Sequence, residues 1–191
     1  MKLNVIHGPM FSGKTKALLE LIRQCPDPDR LVFKHLVDDS RCHNRLSCHD
    51  AGLTNKIDAI SIGSLYQVLE YVTTETRAAF VDEVQFFDPA TSLKAIAMLR
   101  ESFPELALTV CGLDLDFKGK PWQTMLVLKG TADHVQHLVG HCAVCDDPAT
   151  HSFLKAGSPA PGSLVLTGGA EKYEPRCLRC HTRGLRQEVS L

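Results

Sequence analysis

The stretch GPMFSGKT near the amino terminus satisfies the pattern G-x-x-x-x-G-K-[ST]. In this pattern, glycines let backbone N–H groups turn toward phosphate oxygens, and the next helix adds its positive end. The lysine reaches the β- and γ-phosphates, and the hydroxyl that follows it binds Mg²⁺. We therefore predict a phosphate-binding loop, with a plain glycine turn as the alternative. The predicted nucleotide-binding residues are Gly8, Pro9, Met10, Phe11, Ser12, Gly13, Lys14 and Thr15.

Two carboxylates, Asp82 and Glu83, directly follow the apolar run AAFV. P-loop enzymes use an acidic residue at a strand end to position Mg²⁺, and we assign this role to Asp82. Glu83 can then take a proton from the attacking group, which is water in an ATPase and a hydroxyl in a kinase. Taken alone, the pair is equally well explained by a solvated strand end. Beside the loop, we favour the catalytic interpretation.

Four of the eight cysteines form two C-x-x-C units, Cys142 with Cys145 and Cys177 with Cys180. Two such units can complete the tetrahedral thiolate coordination of Zn²⁺. A redox dithiol is the competing interpretation, but two units in one short segment favour metal. His141 and His181 are neighbouring substitute ligands, which four thiolates make unnecessary.

The segment around these cysteines has little periodicity and little apolar sequence of its own. Structural zinc contributes about 10–16 kcal/mol in small finger peptides, as much as the whole stability of a domain, about 5–15 kcal/mol. We therefore predict that zinc folds this segment. The other cysteines are interpreted as packing residues: Cys25, Cys42, Cys48 and Cys111.

The elements that must position these groups alternate between strands and helices. KLNVIH predicts a strand, and KTKALLELIRQ a helix with Ala17, Leu18, Leu21 and Ile22 on one face. The next predicted elements are a strand RLVFKHL, a helix SLYQVLEYV, a strand AAFVDE, a helix from about Pro89 to Arg100 and a strand LALTVCGL. This alternation predicts βαβ units and a mostly parallel sheet in an α/β fold.

The pattern changes from Pro121 onward, where QTMLVLKG and DHVQHLVG are interpreted as strands or turns. We place a boundary near residue 140, which gives a nucleotide-binding α/β domain over 1–140 and a zinc-binding domain over 141–191. The polar stretch from Asp38 to Asn55 shows no periodicity.

The overall composition excludes some classes of partner. The net charge is −1, so nothing global attracts nucleic acid or an anionic membrane. The start MKLNVIHGPM has too short an apolar run for a signal peptide, and no stretch is long enough to span a membrane. We expect a cytoplasmic protein with neither a nucleic-acid nor a membrane partner.

Four stretches occur in a characteristic order: GPMFSGKT, DEVQFF, GLDLDFKGKPW and TGGAEKYEPRCLRC. In these the chain resembles the type II thymidine kinases, a zinc-containing family of small cytosolic deoxynucleoside kinases. The resemblance implies a RecA-like P-loop core and a small C-terminal zinc domain with a lasso loop. It also implies transfer of the γ-phosphoryl of ATP, with Mg²⁺, to the 5′-hydroxyl of thymidine, in deoxynucleoside salvage for DNA synthesis. A homotetramer and feedback inhibition by thymidine triphosphate are further implications.

Individual positions follow from the same resemblance. Glu83 matches the catalytic base of the family, and Asp82 its magnesium-side carboxylate. In DDSRCH, Arg41 resembles a phosphate-side basic residue and Asp39 occupies the acidic position. In that family a loop called the lasso, anchored by the zinc knuckles, grips the base. The implied substrate-binding residues are Met10, Phe86, Leu113, Phe117, Ser152, Leu166, Gly168, Gly169 and the sugar-contacting Tyr173.

Two positions depart from the usual family pattern, Trp122 where Phe is common and Val84 where Ala or Gly is common. Neither removes a reacting group, so they affect the shape of the pocket.

Two other classes of protein remain as alternatives. The first is a P-loop ATPase acting on water, and the second is a zinc-ribbon nucleic-acid binder using the locally basic KYEPRCLRCHTRGLR.

Overall fold

The computed structural model describes residues 1–38, 45–46, 57–155 and 169–188. The strands are β1 (Lys2–His7), β2 (Arg30–His35), β3 (Arg45–Leu46), β4 (Ile57–Asp58), β5 (Ile60–Ile62), β6 (Ala78–Asp82), β7 (Ala107–Gly112), β8 (His134–His137), β9 (Gly140–His141), β10 (Pro148–Ala149), β11 (His151–Leu154) and β12 (Tyr173–Arg176). The α-helices are α1 (Lys14–Gln24), α2 (Val68–Tyr71), α3 (Pro89–Ser102), α4 (Gln123–Thr131) and α5 (Leu178–Glu188). Short 3₁₀ helices cover Leu36–Asp38, Leu65–Gln67 and Val84–Phe86.

Six strands form one sheet in the order β5-β2-β6-β7-β1-β8, and every neighbouring pair is parallel. This arrangement confirms the predicted α/β class. Because the carboxyl ends of parallel strands meet at one edge, the residues that follow β1, β6, β7 and β8 lie along the same edge. The glycine loop after β1 and the carboxylates of Asp82 and Glu83 are thereby brought to one side of the molecule.

Helices cover both faces of this sheet. On one face α3 and α4 pack over the strands through buried residues such as Ile96, Leu99 and Leu128. On the other face α1 packs through Leu18 and Leu19, together with Ile22. The buried side chains of the two faces hold the carboxyl edge in place.

The structure corrects the predicted face of α1. The buried residues are Leu18, Leu19 and Ile22, whereas Leu21 is 37% exposed. At 3.6 residues per turn, Leu18, Leu19 and Ile22 fall within about 100° of arc, and Leu21 lies beyond its edge. An apolar residue just outside the packed face cannot be told from a core residue by spacing alone.

A second correction concerns the segment QTMLVLKG, which forms helix α4 and not a strand or turn. Its buried residues are Thr124, Met125 and Leu128, a helical spacing. The Thr124 hydroxyl donates to the carbonyl of Phe87 and attaches the helix start to the end of the 3₁₀ turn. The prediction for the next segment, DHVQHLVG, was confirmed, because this segment contains strand β8.

The residues after 140 form two small antiparallel pairs, β9 with β10 and β11 with β12, and then helix α5. Sequence analysis predicted no helix there. The division at residue 140 stays a prediction. Arg41, Asp39, Leu166 and Gly168 lie outside the described residues. None of the helices in the described parts combines the length and apolar character that crossing a membrane requires.

Candidate active site and metal centre

The loop Gly8–Thr15 connects β1 directly to α1. Gly8 has a φ of 153° and Gly13 a φ of 81°, a region that glycine enters without the steric penalty of a Cβ. A Cβ on Gly8 would also overlap the carbonyl oxygen of Leu138. Inside the loop, Ser12 Oγ and Lys14 Nζ donate to the carbonyl of Pro9, at 2.9 and 2.6 Å. The lysine ammonium group therefore lies over the loop itself.

The structure brings Thr15 and Asp82 together, although they come from different elements. The Thr15 hydroxyl, in the first turn of α1, donates to Asp82 Oδ2 at 3.1 Å. The other oxygen of this buried carboxylate accepts from the backbone N–H of Glu83 at 2.9 Å. A hydroxyl and a carboxylate at hydrogen-bond distance are oxygen donors of the kind that Mg²⁺ takes, together with water and phosphate oxygens.

Glu83 follows β6 in the left-handed conformation, with φ 59° and ψ 36°. A non-glycine residue in this region costs roughly 1–2 kcal/mol, so surrounding contacts must hold it. One of them is Gln85, 2% exposed, whose Nε2 donates to the Glu83 carboxylate. Its Oε1 accepts from the backbone N–H of Leu113 at 3.0 Å. Gln85 thus joins Glu83 to the end of β7.

Sequence analysis did not identify Gln85 as a functional residue. Its signal was a single polar residue inside the otherwise apolar stretch VQFF. A buried amide needs partners for both of its ends, and the sequence does not reveal which groups supply them. Here the partners come from β6 and β7, which are adjacent only in the folded sheet.

Aromatic rings lie beside the carboxylates. Phe86 makes an edge contact with Trp122, with ring centroids 5.7 Å apart, and also lies 5.6 Å from His35. Burial lowers the pKa of His35. Phe86 and Leu113 are half-buried, so both retain a surface that a flat ligand can contact. The departure from family pattern at Trp122 thus lies at the predicted pocket.

The C-terminal residues reach this edge through two hydrogen bonds. The buried Ser152, on β11, accepts from the backbone N–H of Met10 at 2.9 Å. His181, on α5, donates from Nε2 to the carbonyl of Phe117 at 2.9 Å. These contacts place two predicted substrate residues, Ser152 and Phe117, where the segment after residue 140 meets the sheet.

Tyr173 and Gly169 lie together at the start of β12. The backbone N–H of Tyr173 donates to the Gly169 carbonyl at 3.0 Å, and Tyr173 is buried. Tyr173 is paired with Leu154 of β11, the strand that carries Ser152. Tyr173 is therefore on the same small sheet as Ser152, and Gly169 lies just before that sheet begins.

The four cysteines predicted as metal ligands converge. Their Sγ atoms all lie within 4.8 Å of one another, with Cys145 Sγ 3.7 Å from that of Cys177 and 3.6 Å from that of Cys180. Four sulfurs at about 2.3 Å from one Zn²⁺ form a tetrahedron with edges of about 3.8 Å. A disulfide would need about 2.05 Å. The donor set and its spacing fit tetrahedral zinc.

The local backbone favours a thiolate at Cys142. Burial raises the pKa of this thiol. Hydrogen bonds from the backbone N–H groups of Cys177, Val144 and Cys145 outweigh this effect and lower the pKa to about 6. His141 forms a surface ion pair with Asp146 instead of joining the cluster. His181 is hydrogen-bonded to the Phe117 carbonyl, and in the described parts of the chain it is the four cysteines that come together as candidate ligands.

One comparison with known proteins bears on this site. A family model described as thymidine kinase matches residues 1–181. The match covers the six-stranded sheet, the loop, both carboxylates and all four cysteines. Enzymes of this kind phosphorylate thymidine in an ATP-dependent reaction. The chain therefore belongs to the thymidine kinase family.

Proposed function

We propose that the protein transfers the γ-phosphoryl of ATP to the 5′-hydroxyl of thymidine and so supplies thymidine monophosphate for DNA synthesis by salvage. The observation that carries the proposal is the placement of the loop Gly8–Thr15, Asp82 and Glu83 along one edge of the sheet. A phosphate cradle, a metal-binding carboxylate and a second carboxylate are what phosphoryl transfer to a hydroxyl requires.

In this proposal the loop binds the triphosphate. Its backbone N–H groups and the amino end of α1 contact the phosphates, and Lys14 moves from the Pro9 carbonyl to the β- and γ-phosphate oxygens. The Thr15 hydroxyl and the Asp82 carboxylate hold Mg²⁺. When bound, Mg²⁺ neutralises charge on the transferring group. Arg41 is the further phosphate-side residue that the family resemblance suggests.

Glu83 is the proposed general base. Phosphoryl transfer depends on positioning and electrostatic stabilisation, so the carboxylate must be held at the attacking hydroxyl. The hydrogen bond from Gln85 and the short turn after β6 supply this restraint. Deprotonated Glu83 accepts the proton of the 5′-hydroxyl as the oxygen attacks the γ-phosphorus, while the bond to the β,γ-bridging oxygen breaks and ADP leaves.

We place the nucleoside against the half-buried faces of Phe86 and Leu113, next to Glu83. Phe117, Ser152, Gly169 and Tyr173 complete the proposed pocket, together with Met10 of the loop and with Leu166 and Gly168. One methyl group in an apolar pocket changes discrimination by about 1–3 kcal/mol, roughly 10–200-fold. Deoxyuridine should therefore react, but less well than thymidine.

Zinc has a structural role in the proposal. Bound by Cys142, Cys145, Cys177 and Cys180, it joins the β9–β10 turn to the start of α5. His181 is the next residue after Cys180 and contacts the Phe117 carbonyl. Zinc binding thus fixes one wall of the proposed pocket. The family resemblance further supports a homotetramer and feedback inhibition by thymidine triphosphate, which light scattering and inhibition kinetics can test.

The proposal is tested with Glu83→Gln, which keeps the shape of the side chain and removes its basicity. We expect turnover to fall by roughly 10²–10⁴-fold, the usual contribution of a general base, while ATP binding persists. Glu101→Gln, an exposed change on α3, is the matched control and should be silent. Normal turnover of Glu83→Gln would remove Glu83 from the mechanism.

A further inference from the structure

Two histidines and an aspartate converge at the carboxyl end of the sheet, apart from the four cysteines. His7 and His137 are paired residues of the parallel strands β1 and β8, so their side chains leave the same face of the sheet. Their rings stack, with centroids 4.6 Å apart and planes 6° from parallel. His7 is also paired with Gly112 of β7, and Asp114 follows two residues later. The sheet register itself therefore assembles the trio.

From this geometry we propose that His7, Asp114 and His137 bind a divalent transition-metal ion of the zinc type, at a site separate from the Thr15–Asp82 pair and from the four cysteines. One ligand atom from each residue lies within 4.8 Å of the others, and His7 Nδ1 is 3.1 Å from Asp114 Oδ2. Ligands at about 2.0–2.2 Å from one ion lie about 3 to 3.5 Å apart. The lone pairs of imidazole nitrogens lie in the ring planes, so one of the stacked rings must turn to bind the same ion as the other. His137 is exposed on the edge strand, where its ring has room to turn.

An unpartnered oxygen of Asp114 gives independent support for this metal site. Its Oδ1 is buried and has no hydrogen-bond partner among the described residues. Asp114 is therefore a half-buried residue with one buried carboxylate oxygen that has unused acceptor capacity. Such groups in folded proteins are normally paired or coordinate a metal.

The donor set selects the kind of ion. Two imidazole nitrogens and one carboxylate oxygen suit Zn²⁺, Co²⁺ or Ni²⁺, whereas Mg²⁺ and Ca²⁺ prefer oxygen ligands throughout. The site is therefore chemically distinct from the Thr15–Asp82 pair. It is also distinct from the four thiolates. Because His7 directly precedes Gly8, an ion there would join the edge strand β8 to the base of the glycine loop.

The competing explanation is that Asp114 merely orients His7, with His137 stacked on it. Calorimetric titration of Zn²⁺ into the full chain separates the two explanations. The protein carries no polyhistidine tag, and its cysteine site is filled with zinc beforehand. We expect one further equivalent to bind, and His137→Ala to weaken this binding by about tenfold or more. Loss of a residue that only hydrogen-bonds a metal ligand already weakens metal binding by about 10–100-fold, so loss of a ligand itself should have at least the smaller of these effects.

The matched control is His134→Ala. His134 is also exposed on β8. It lies three residues before His137, so its side chain is on the opposite face of the strand. The His134→Ala variant should bind the extra ion with the same affinity as the unchanged protein. His137→Gln provides a second variant if the alanine change alters the thermal transition. No further equivalent beyond the cysteine site, or equal weakening in the His134 and His137 variants, would overturn the proposal.

Discussion

Replacing Gln85 by alanine removes two hydrogen bonds that join different parts of the proposed active site. One is accepted by Oε1 from the Leu113 backbone N–H at 3.0 Å, and the other is donated by Nε2 to the Glu83 carboxylate. Gln85 is 2% exposed, so water does not readily replace either bond. The change should therefore affect both stability and catalysis.

The stability loss follows from the Leu113 N–H. A buried donor left without a partner costs about 1–3 kcal/mol. For a chain of this size each kcal/mol lowers the melting temperature by about 2–4 °C, so we expect a fall of about 2–12 °C in Gln85→Ala. Calorimetry with the zinc site filled measures this change.

The catalytic loss follows from Glu83. A misplacement of about 1 Å can reduce turnover about 10²-fold, and Gln85→Ala releases one restraint on a residue held in the left-handed region. We expect kcat to fall by about 10–100-fold with unchanged ATP affinity, because neither bond involves Gly8–Thr15. Steady-state kinetics and ATP-binding titrations give the two values separately.

Gln85→Glu is the matched control. Its carboxylate still accepts from Leu113, so the Leu113 N–H keeps its partner, and the remaining stability loss comes from placing a second carboxylate beside Glu83. It replaces the donor to Glu83 by a like charge, which raises the pKa of Glu83. The base is active when deprotonated, so the acid limb of the activity profile should move to higher pH. Wild-type kcat in Gln85→Ala despite a lower melting temperature would refute the positioning role of Gln85.

Three further changes test other parts of the structure. In Gly112→Ala the new Cβ overlaps Gln85 Oε1, so unfolding free energy should fall by about 1–3 kcal/mol and kcat should drop, whereas Gly130→Ala, with open space around it, should do neither. Denaturant titration and kinetics measure both. Burial lowers the pKa of His35 below its ordinary 6.5, so the unfolded chain takes up a proton first as pH falls below about 6.5, and stability decreases there. His35→Asn should flatten this dependence in unfolding free energies measured between about pH 5 and 7.5; an unchanged slope would contradict the assignment. In Cys177→Ser, zinc content and amide-exchange protection of residues 140–155 and 169–188 should fall while the six-stranded sheet stays protected; full protection without zinc would exclude a folding role for the metal.

The features that the sequence predicted are those encoded by neighbouring residues. The run GPMFSGKT, the strand before it and the helix after it are contiguous, so motif and periodicity identify them together. The pair Asp82–Glu83 was found because a short apolar run marks a strand end. The spacing of the C-x-x-C units likewise anticipated the convergence of their sulfurs.

The features that were missed depend on pairing between distant segments. Gln85 acquires its role from β7, and His7 meets His137 only because β8 joins the sheet beside β1. Helix α4 was predicted as a strand or turn because a short apolar run suits either state, and its contact with Phe87 is nonlocal. Helix α5 has few apolar residues, and although these fall on one face, the low apolar content and the C-x-x-C unit did not suggest a helix there.

The most direct test of phosphoryl transfer to thymidine measures where the labelled γ-phosphoryl of ATP goes. The purified protein is incubated with Mg²⁺ and ATP labelled at the γ-phosphoryl, with and without thymidine, and the products are separated. We expect label in thymidine monophosphate only when thymidine is present, with little label in free phosphate. Label released as free phosphate at the same rate with or without thymidine would contradict this expectation.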